Sequence, residues 1–382
     1  MKILHIQSSS DTIGGQELSL LARLKVLRRH HVQNIVALPG PGKFAELLTK
    51  SGFRVIYLPV PWFTKETVVR YIDAVASLLA AVVRHKVNLI HCQGLYPAQL
   101  AVPVSKISNR RVIVNINNVN YSPYDYKRSF VRYADLIIGV SDACRRQVLD
   151  YVDIHADKVV KINNAIIEGD IVLNVSDVAT ARARCRITDT DVVVGQISQL
   201  IPIKGIEYFV RMAKIVRERH RNARFILVGA VTQGHDNYFS RIKGLISELG
   251  LDNDIVITGF QRDVYPYISL LDISVLCSQF EGLGRVLVES MQFKVPCVAT
   301  DSGGSTEVVI DGRTGFLVPW KDPQAMADKV SYLIRHPEER ARLGATGRDF
   351  VRDRFGYESH FAHLAEAYKR CNITISNRGS GD

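Results

Sequence analysis

Glu281 and Glu289 bracket a stretch whose residue types suit a phosphorylated, hydroxyl-rich molecule. An apolar run, Ile273–Leu276, leads into Cys277-Ser278-Gln279-Phe280-Glu281-Gly282-Leu283-Gly284-Arg285, and helical spacing resumes at Val286. Glycines there allow a tight turn and a close approach of backbone to ligand. A helix starting at this point leaves the Leu283, Gly284 and Arg285 amides without acceptors, which suits a phosphate. Glu281 would repel a phosphate in that seat, so accepting hydrogen bonds from sugar hydroxyls beside it is the better use of its charge. Glu289 falls one to two turns into the helix, among Val286, Leu287, Val288 and Met291. A carboxylate in such apolar company needs donors, and the two hydroxyls of a ribose would supply them. Taken singly, each glutamate also reads as an ordinary surface residue; the strand–glycine–helix context is what distinguishes the pair.

The elements that must position these residues alternate regularly. Val/Ile-rich runs at Ile3–Gln7, Asn34–Leu38, Val55–Leu58, Leu89–His91, Val112–Asn115, Leu136–Val140 and Val159–Ile162 read as strands. Helical spacing fills intervals such as Gln16–Arg29, Thr67–Arg84 and Ala143–Tyr151. Near-continuous apolar strands alternating with helices predict an α/β parallel sheet covered on both faces. The pattern weakens between Ala165 and Thr190, then resumes with Val192–Ile197, Arg224–Val228, Asp254–Thr258, Ile273–Leu276 and Pro296–Thr300. The expected organisation is therefore two Rossmann-like doubly wound domains, 1–170 and 191–355, facing a central cleft, with a linker at 171–190. A C-terminal helix and tail, 356–382, is expected to pack back on the first domain, with Ser376–Asp382 disordered. Ligands of such sheets sit beyond the carboxyl ends of the strands.

Composition narrows the alternatives. The chain has 382 residues, 47% hydrophobic and 23% charged, with no apolar run of membrane-spanning length and no signal-like N-terminus. Six cysteines without a CxxC pair read as buried free thiols in a reducing cytosol. The net charge of +11 is uneven: residues 1–170 carry 22 Lys and Arg against 13 Asp and Glu, a net +9. A basic first half suits an anionic acceptor or an anionic membrane surface as well as plain solvation, and no nucleic-acid-binding module accompanies it.

The glutamate pair, read as F-E-G-x-G-x-x-x-x-E, resembles the signature of family 4 retaining glycosyltransferases of the GT-B fold. Further segments share the resemblance: Gly14-Gly15 after the first strand, Gln199-Leu200 through Lys204-Gly205, Ile162-Asn163-Asn164-Ala165, and Asp301-Ser302-Gly303-Gly304-Ser305-Thr306-Glu307 with Asp311-Gly312 and Gly315-Phe316-Leu317-Val318. It implies a nucleoside-diphosphate sugar, UDP- or GDP-linked, bound to the second domain and a glycan or lipid-linked acceptor bound to the first. By the same resemblance, Glu281 contacts the donor sugar, Glu289 the ribose, and Lys204 the diphosphate, with Gly282, Leu283, Gly284 and Arg285 around it. Gly14 and Gly15 line the opposite wall. The implied protein is a cytoplasmic or peripheral inner-membrane hexosyltransferase of cell-surface polysaccharide or lipopolysaccharide synthesis, needing no metal and no cofactor. A sugar-nucleotide epimerase and a catalytically impaired sugar-nucleotide-binding protein share the same architecture and remain open.

Two positions depart from the family pattern. Gln199 stands where an arginine is usual beside the diphosphate, and Asn117, in Val112-Ile113-Val114-Asn115-Ile116-Asn117, stands where a histidine is usual near the transferred sugar. Arg285 is either a substitute for the missing charge or a solvent-facing residue. His91, at a strand end, either touches the acceptor or is structural. The acidic pairs Asp189-x-Asp191 and Asp252-x-Asp254 read as turns rather than metal sites, and Gly40-Pro41-Gly42-Lys43 as a turn before a helix. Tyr121, Tyr124 and Tyr126 beside Lys127 and Arg128 read as a mixture of packing and loop exposure rather than an acceptor-binding or membrane-contacting lip.

Overall fold

A computed structural model describes residues 1–64, 66–119, 121–166, 173–232 and 234–375. The chain divides into two compact units, Met1–Ile166 with Tyr357–Asp382, and Ile167–Gly356. Each is a doubly wound α/β unit on a fully parallel sheet. The first sheet has seven strands, β1 (Lys2–Ile6), β2 (Gln33–Leu38), β3 (Arg54–Tyr57), β4 (Leu89–Gln93), β5 (Arg111–Ile116), β6 (Leu136–Gly139) and β7 (Val159–Lys161), in the order β3-β2-β1-β4-β5-β6-β7. The second has six, β8 (Val192–Ile197), β9 (Ala223–Val228), β10 (Ile255–Gly259), β11 (Ile273–Leu276), β12 (Cys297–Thr300) and β13 (Gly315–Val318), in the order β10-β9-β8-β11-β12-β13. The predicted fold class is the observed one, and the resemblance missed no sheet; β13 was visible only as a motif.

Both sheets reverse direction once, between β1 and β4 and between β8 and β11. At such a switch point neighbouring loops leave the sheet on opposite faces and open a crevice at the carboxyl edge. In the second unit the two flanking loops are 198–205 and 277–284, which carry Lys204 and Glu281. Beneath them lies a core of fully buried side chains including Val194, Phe209, Phe225, Val275 and Val298.

One expectation about the connections changes. The stretch 171–190, read as a linker, contains a helix at Val175–Arg184. The Asn174 side chain caps it by accepting the Ser176 amide at 3.1 Å. Ala181 and Cys185 pack into a cluster with Val193, Ile226 and Leu271. Alanine and arginine are strong helix formers, so the Ala/Arg-rich composition marks a helix of the second unit. After Pro323 the chain forms helices Pro323–Arg335, Pro337–Phe355 and Tyr357–Arg370. The last belongs to the first unit, where Tyr357 donates to the Val26 carbonyl at 3.0 Å and His360 Nδ1 to the Asn163 carbonyl at 2.8 Å. The expected disorder of Ser376–Asp382 lies outside the described residues.

Candidate functional site

Lys204 and Glu281 meet at the switch point of the second unit. Lys204 Nζ lies 2.6 Å from Glu281 Oε1, with the side chains 21% and 12% exposed. The same carboxylate oxygen accepts from Ser278 Oγ at 2.6 Å. Among the described residues Glu281 Oε2 takes no partner and is not sealed off, so one carboxylate oxygen is held and one is left to accept. The approach of the two loops demands glycine. Gly205 has φ +61°, and a Cβ there would lie 2.2 Å from the Cys277 carbonyl oxygen; at Gly303, φ +55°, it would lie 2.3 Å from the Glu281 carbonyl oxygen. The Gly304 amide donates to that same Glu281 carbonyl at 2.9 Å, fixing the glutamate from its backbone.

The helix after the glutamate loop runs Arg285–Gln292 with Gly284 at its N-cap. Among the described residues the Leu283 and Gly284 amides meet no acceptor. The expectation for Glu289 changes in part. It is buried, 6% exposed, but one donor already meets it among the described residues: Arg285 Nε contacts Glu289 Oε1 at 2.7 Å, one helical turn away. The solvent-facing reading of Arg285 does not survive, and the charge it would lend a diphosphate already has a protein partner. Its side chain is only 16% exposed and is folded onto Glu289, so it neither faces solvent nor reaches forward as a free cation. Burial opposes its charge, yet Glu289 and Tyr265 together raise its pKa. Burial first, then the Glu289 charge, pushes the Tyr265 phenol up to about 12. Gln199 is exposed and its side chain has no partner among the described residues, so it offers a neutral donor at the surface.

Gln196 and Ser278 escaped the reading of the sequence. Gln196 is fully buried near the end of β8; its Nε2 donates to the Lys204 carbonyl at 2.8 Å and to Ser198 Oγ at 3.2 Å, and its Oε1 accepts the Cys277 amide at 3.3 Å. One amide therefore ties together the lysine turn and the glutamate loop. The available signal was a glutamine in the otherwise apolar strand Val192-Val193-Val194-Gly195-Gln196-Ile197. Ser278 is fully buried, orients Glu281, and accepts from Ser302 Oγ at 2.9 Å through its carbonyl.

In the first unit, Gly14 caps helix Gly15–Arg29, its amide donating to Glu17 Oε2 at 3.0 Å, and Gly15 is exposed at the first helical position. His91 is fully buried and cannot touch an acceptor. Its Nδ1 lies 3.0 Å from the Tyr368 hydroxyl, because β4 turns this side chain toward helix Tyr357–Arg370. Asn117 follows β5 and is half-buried; its Oδ1 accepts from Asn115 Nδ2 at 2.8 Å and from Asn164 Nδ2 at 3.4 Å. Tyr124 is exposed while Tyr126 is buried. The acidic pairs behave as turn residues: Asp191 accepts the Thr188 amide at 2.8 Å, and Asp254 meets Arg217 at 2.7 Å. No group of three or more His, Cys, Asp or Glu among the described residues is arranged to hold a metal ion. None of the six cysteines is in a disulfide, and all are buried.

The profile of Glycosyltransferase Family 4 matches residues 13–168, and that of Glycosyl transferases group 1 matches residues 177–350. The chain is a family 4 glycosyltransferase. A GDP-mannose-dependent alpha-(1-6)-phosphatidylinositol monomannoside mannosyltransferase of Mycolicibacterium smegmatis is 26% identical over 92% of this glycosyltransferase and 94% of its own length. An alpha-D-kanosaminyltransferase of Streptomyces kanamyceticus is 27% identical over 65% of the chain and 63% of its own length. The solved structure of Anabaena HepE in complex with UDP-glucose superposes with TM-score 0.85 at 23% identity, over 97% of this chain and 99% of that one, so the two share the GT-B fold. Among the described residues of the glycosyltransferase no helix is long and apolar enough to cross a membrane.

Proposed function

We propose that this glycosyltransferase moves a hexose-type sugar, with retention, from a UDP- or GDP-sugar to a glycan or lipid-linked acceptor of cell-surface polysaccharide or lipopolysaccharide synthesis. The observation that carries the donor reading is the Lys204–Glu281 pair at the switch point, 2.6 Å apart and adjoining the unsatisfied Leu283 and Gly284 amides. The two amides and Lys204 take the diphosphate, Glu281 Oε2 a sugar hydroxyl, and Glu289 a ribose hydroxyl. As the bond from the anomeric carbon to the phosphate oxygen breaks, negative charge grows on the departing diphosphate. Fixed donors stabilise it there, each typically contributing roughly 3 kcal/mol. The acceptor oxygen bonds to the anomeric carbon, and its proton passes to the leaving phosphate, so no separate base is required. The relatives bear on the donor only by their names, one GDP-mannose-dependent and one neighbour holding UDP-glucose.

The acceptor side of the proposal rests on the first unit. Its exposed Phe63, Val69, Ile72 and Tyr124 lie on segments joined by Arg128, which stacks 4.9 Å over Trp62 and 5.2 Å over Tyr124. Aromatic and basic side chains together suit an anionic membrane surface carrying a lipid-linked acceptor. The deciding experiment is a thermal-shift screen of nucleoside diphosphates and their sugars, followed by product analysis with the donor found. Stabilisation by one base and transfer to an added glycan or polyprenyl-phosphate sugar is expected. No nucleotide binding across the panel refutes the proposal. Interconversion of the donor without acceptor would identify an epimerase instead, and binding without turnover an impaired enzyme.

A further inference from the structure

Arg23 is a buried cation with no counter-ion among the described residues. It sits in helix Gly15–Arg29 at 1% exposure. Its Nη1 donates to Gln93 Oε1 at 2.9 Å, and its Nη2 to Asn115 Oδ1 at 3.0 Å and Asn164 Oδ1 at 3.3 Å. No carboxylate pairs with it among the described residues, and Glu17, the nearby buried acid of the same helix, is occupied by Gln7 Nε2 and the Gly14 amide. Burial lowers the guanidinium to about 10, leaving it charged at neutral pH. His5, His91 and His360 around it are held neutral, chiefly by the same burial. A lone interior charge costs several kcal/mol, so its position calls for a use.

The hydrogen bonds have a direction. Arginine has no acceptor, so Asn115 and Asn164 must turn their oxygens toward Arg23. Their amide nitrogens therefore face away, and both donate into Asn117 Oδ1, at 2.8 and 3.4 Å. Asn117 is left with a saturated oxygen, and its buried Nδ2 has no partner among the described residues. Flipping any one amide would set N–H against N–H. Each bond in this line polarises the next, and the first donor is ionic. We infer that Arg23 is the positioning residue of Asn117, making that side chain a donor-only amide, polarised by a buried positive charge, that takes a negatively charged oxygen of the substrate.

This rests on the reading of the protein as a transferase whose Asn117 faces the reacting groups. Asn117 stays a neutral amide whose N–H group is polarised by the buried charge, and it never titrates. The oxygen it takes is a phosphate-type oxyanion, belonging either to the departing diphosphate or to an anionic acceptor. A non-bonded donor in a dry setting costs about 1–3 kcal/mol until it is paired, which favours occupancy in the reacting complex.

A double-mutant cycle on kcat tests it, using the full chain and the donor sugar identified by thermal shift. Asn117→Ala is expected to lower kcat about 100-fold, and Arg23→Met at least 10-fold with little change in donor KM. Arg23→Met added to Asn117→Ala is expected to cost less than about 2-fold more. Independent multiplication of the two effects overturns the inference. Asn115→Asp gives Arg23 a counter-ion and cannot donate to Asn117. It is expected to keep or raise the melting temperature while lowering kcat about 10-fold or more, a divergence that a merely structural Arg23 would not produce. Unchanged kcat in Asn115→Asp overturns the inference even if Arg23→Met does not fold. Coupling that persists in donor hydrolysis without acceptor assigns the oxygen to the diphosphate; coupling seen only in transfer assigns it to the acceptor. Failure of any nucleotide to bind refutes the proposed function instead, so the two failures are distinguishable.

Discussion

Replacing Arg285 by methionine should destabilise the second unit through Glu289. The substitution keeps most of the apolar volume of the arginine stem but removes the one cation, among the described residues, against a carboxylate that is 7% exposed. Breaking a buried pair by deleting one partner costs roughly 3–5 kcal/mol, because the remaining charge is stranded. Glu289 Oε2 has no partner among the described residues, so the lower end, about 3 kcal/mol, applies. For a unit of this size each kcal/mol moves the midpoint by about 2–4 °C, giving a loss of about 6–12 °C. The chain has two units and need not unfold in one step, so the shift should be read on the transition that responds to nucleoside diphosphate. Nucleotide stabilisation should shrink as well, since the ribose contact proposed for Glu289 Oε2 loses the pair that fixes it. The double variant Arg285→Met/Glu289→Met should recover most of the stability but none of the nucleotide response. A single variant within about a degree of the wild type would refute the argument that Arg285 sustains the buried carboxylate.

Further outcomes follow from the same geometry. Lys204→Met should lower kcat by about 10²–10³, since it removes the donor proposed for the leaving diphosphate; steady-state kinetics with a saturating acceptor would measure it. Gly303→Ala places a methyl against the Glu281 backbone at φ +55° and should reduce turnover and melting temperature together, observed by kinetics and calorimetry. His5 and His360 are held at about 3, mainly by burial, so the unfolded chain binds protons below pH 6.5 that the folded chain refuses. Their contribution is complete above pH 6.5 and is lost as pH falls, by about 2 kcal/mol each between pH 6.5 and 5. Denaturation of the first unit at the two pH values, compared with His5→Gln and His360→Gln, checks this. Treatment with a chelator should leave turnover unchanged if the proposed metal-free reaction is right.

The fold class was legible because both of its signals are local. Val/Ile runs of strand length, separated by amphipathic helices, specify parallel sheets wherever they occur, and every strand of the first unit falls within a residue or two of its sequence-based position. Glu281, Lys204 and the glycines were legible for the same reason, since a strand–turn–helix motif carries its own geometry in a few consecutive residues. The helix Val175–Arg184 was misread because loss of alternation resembles loss of structure, while its apolar contacts, Val193 and Leu271, lie far along the chain.

The amino-acid sequence by itself determined the two doubly wound sheets, the glycine-dependent loops and which side chains those loops carry. Tertiary structure alone decided what those side chains face. It turned Arg285 back onto Glu289, buried His91 against Tyr368, and assembled Arg23, Asn115, Asn117 and Asn164 from segments up to 141 positions apart. The physical reason is that a charge or an amide has no preferred partner in one dimension. Its role is set by which polar groups burial leaves within reach, and that is known only once the sheets have closed around them.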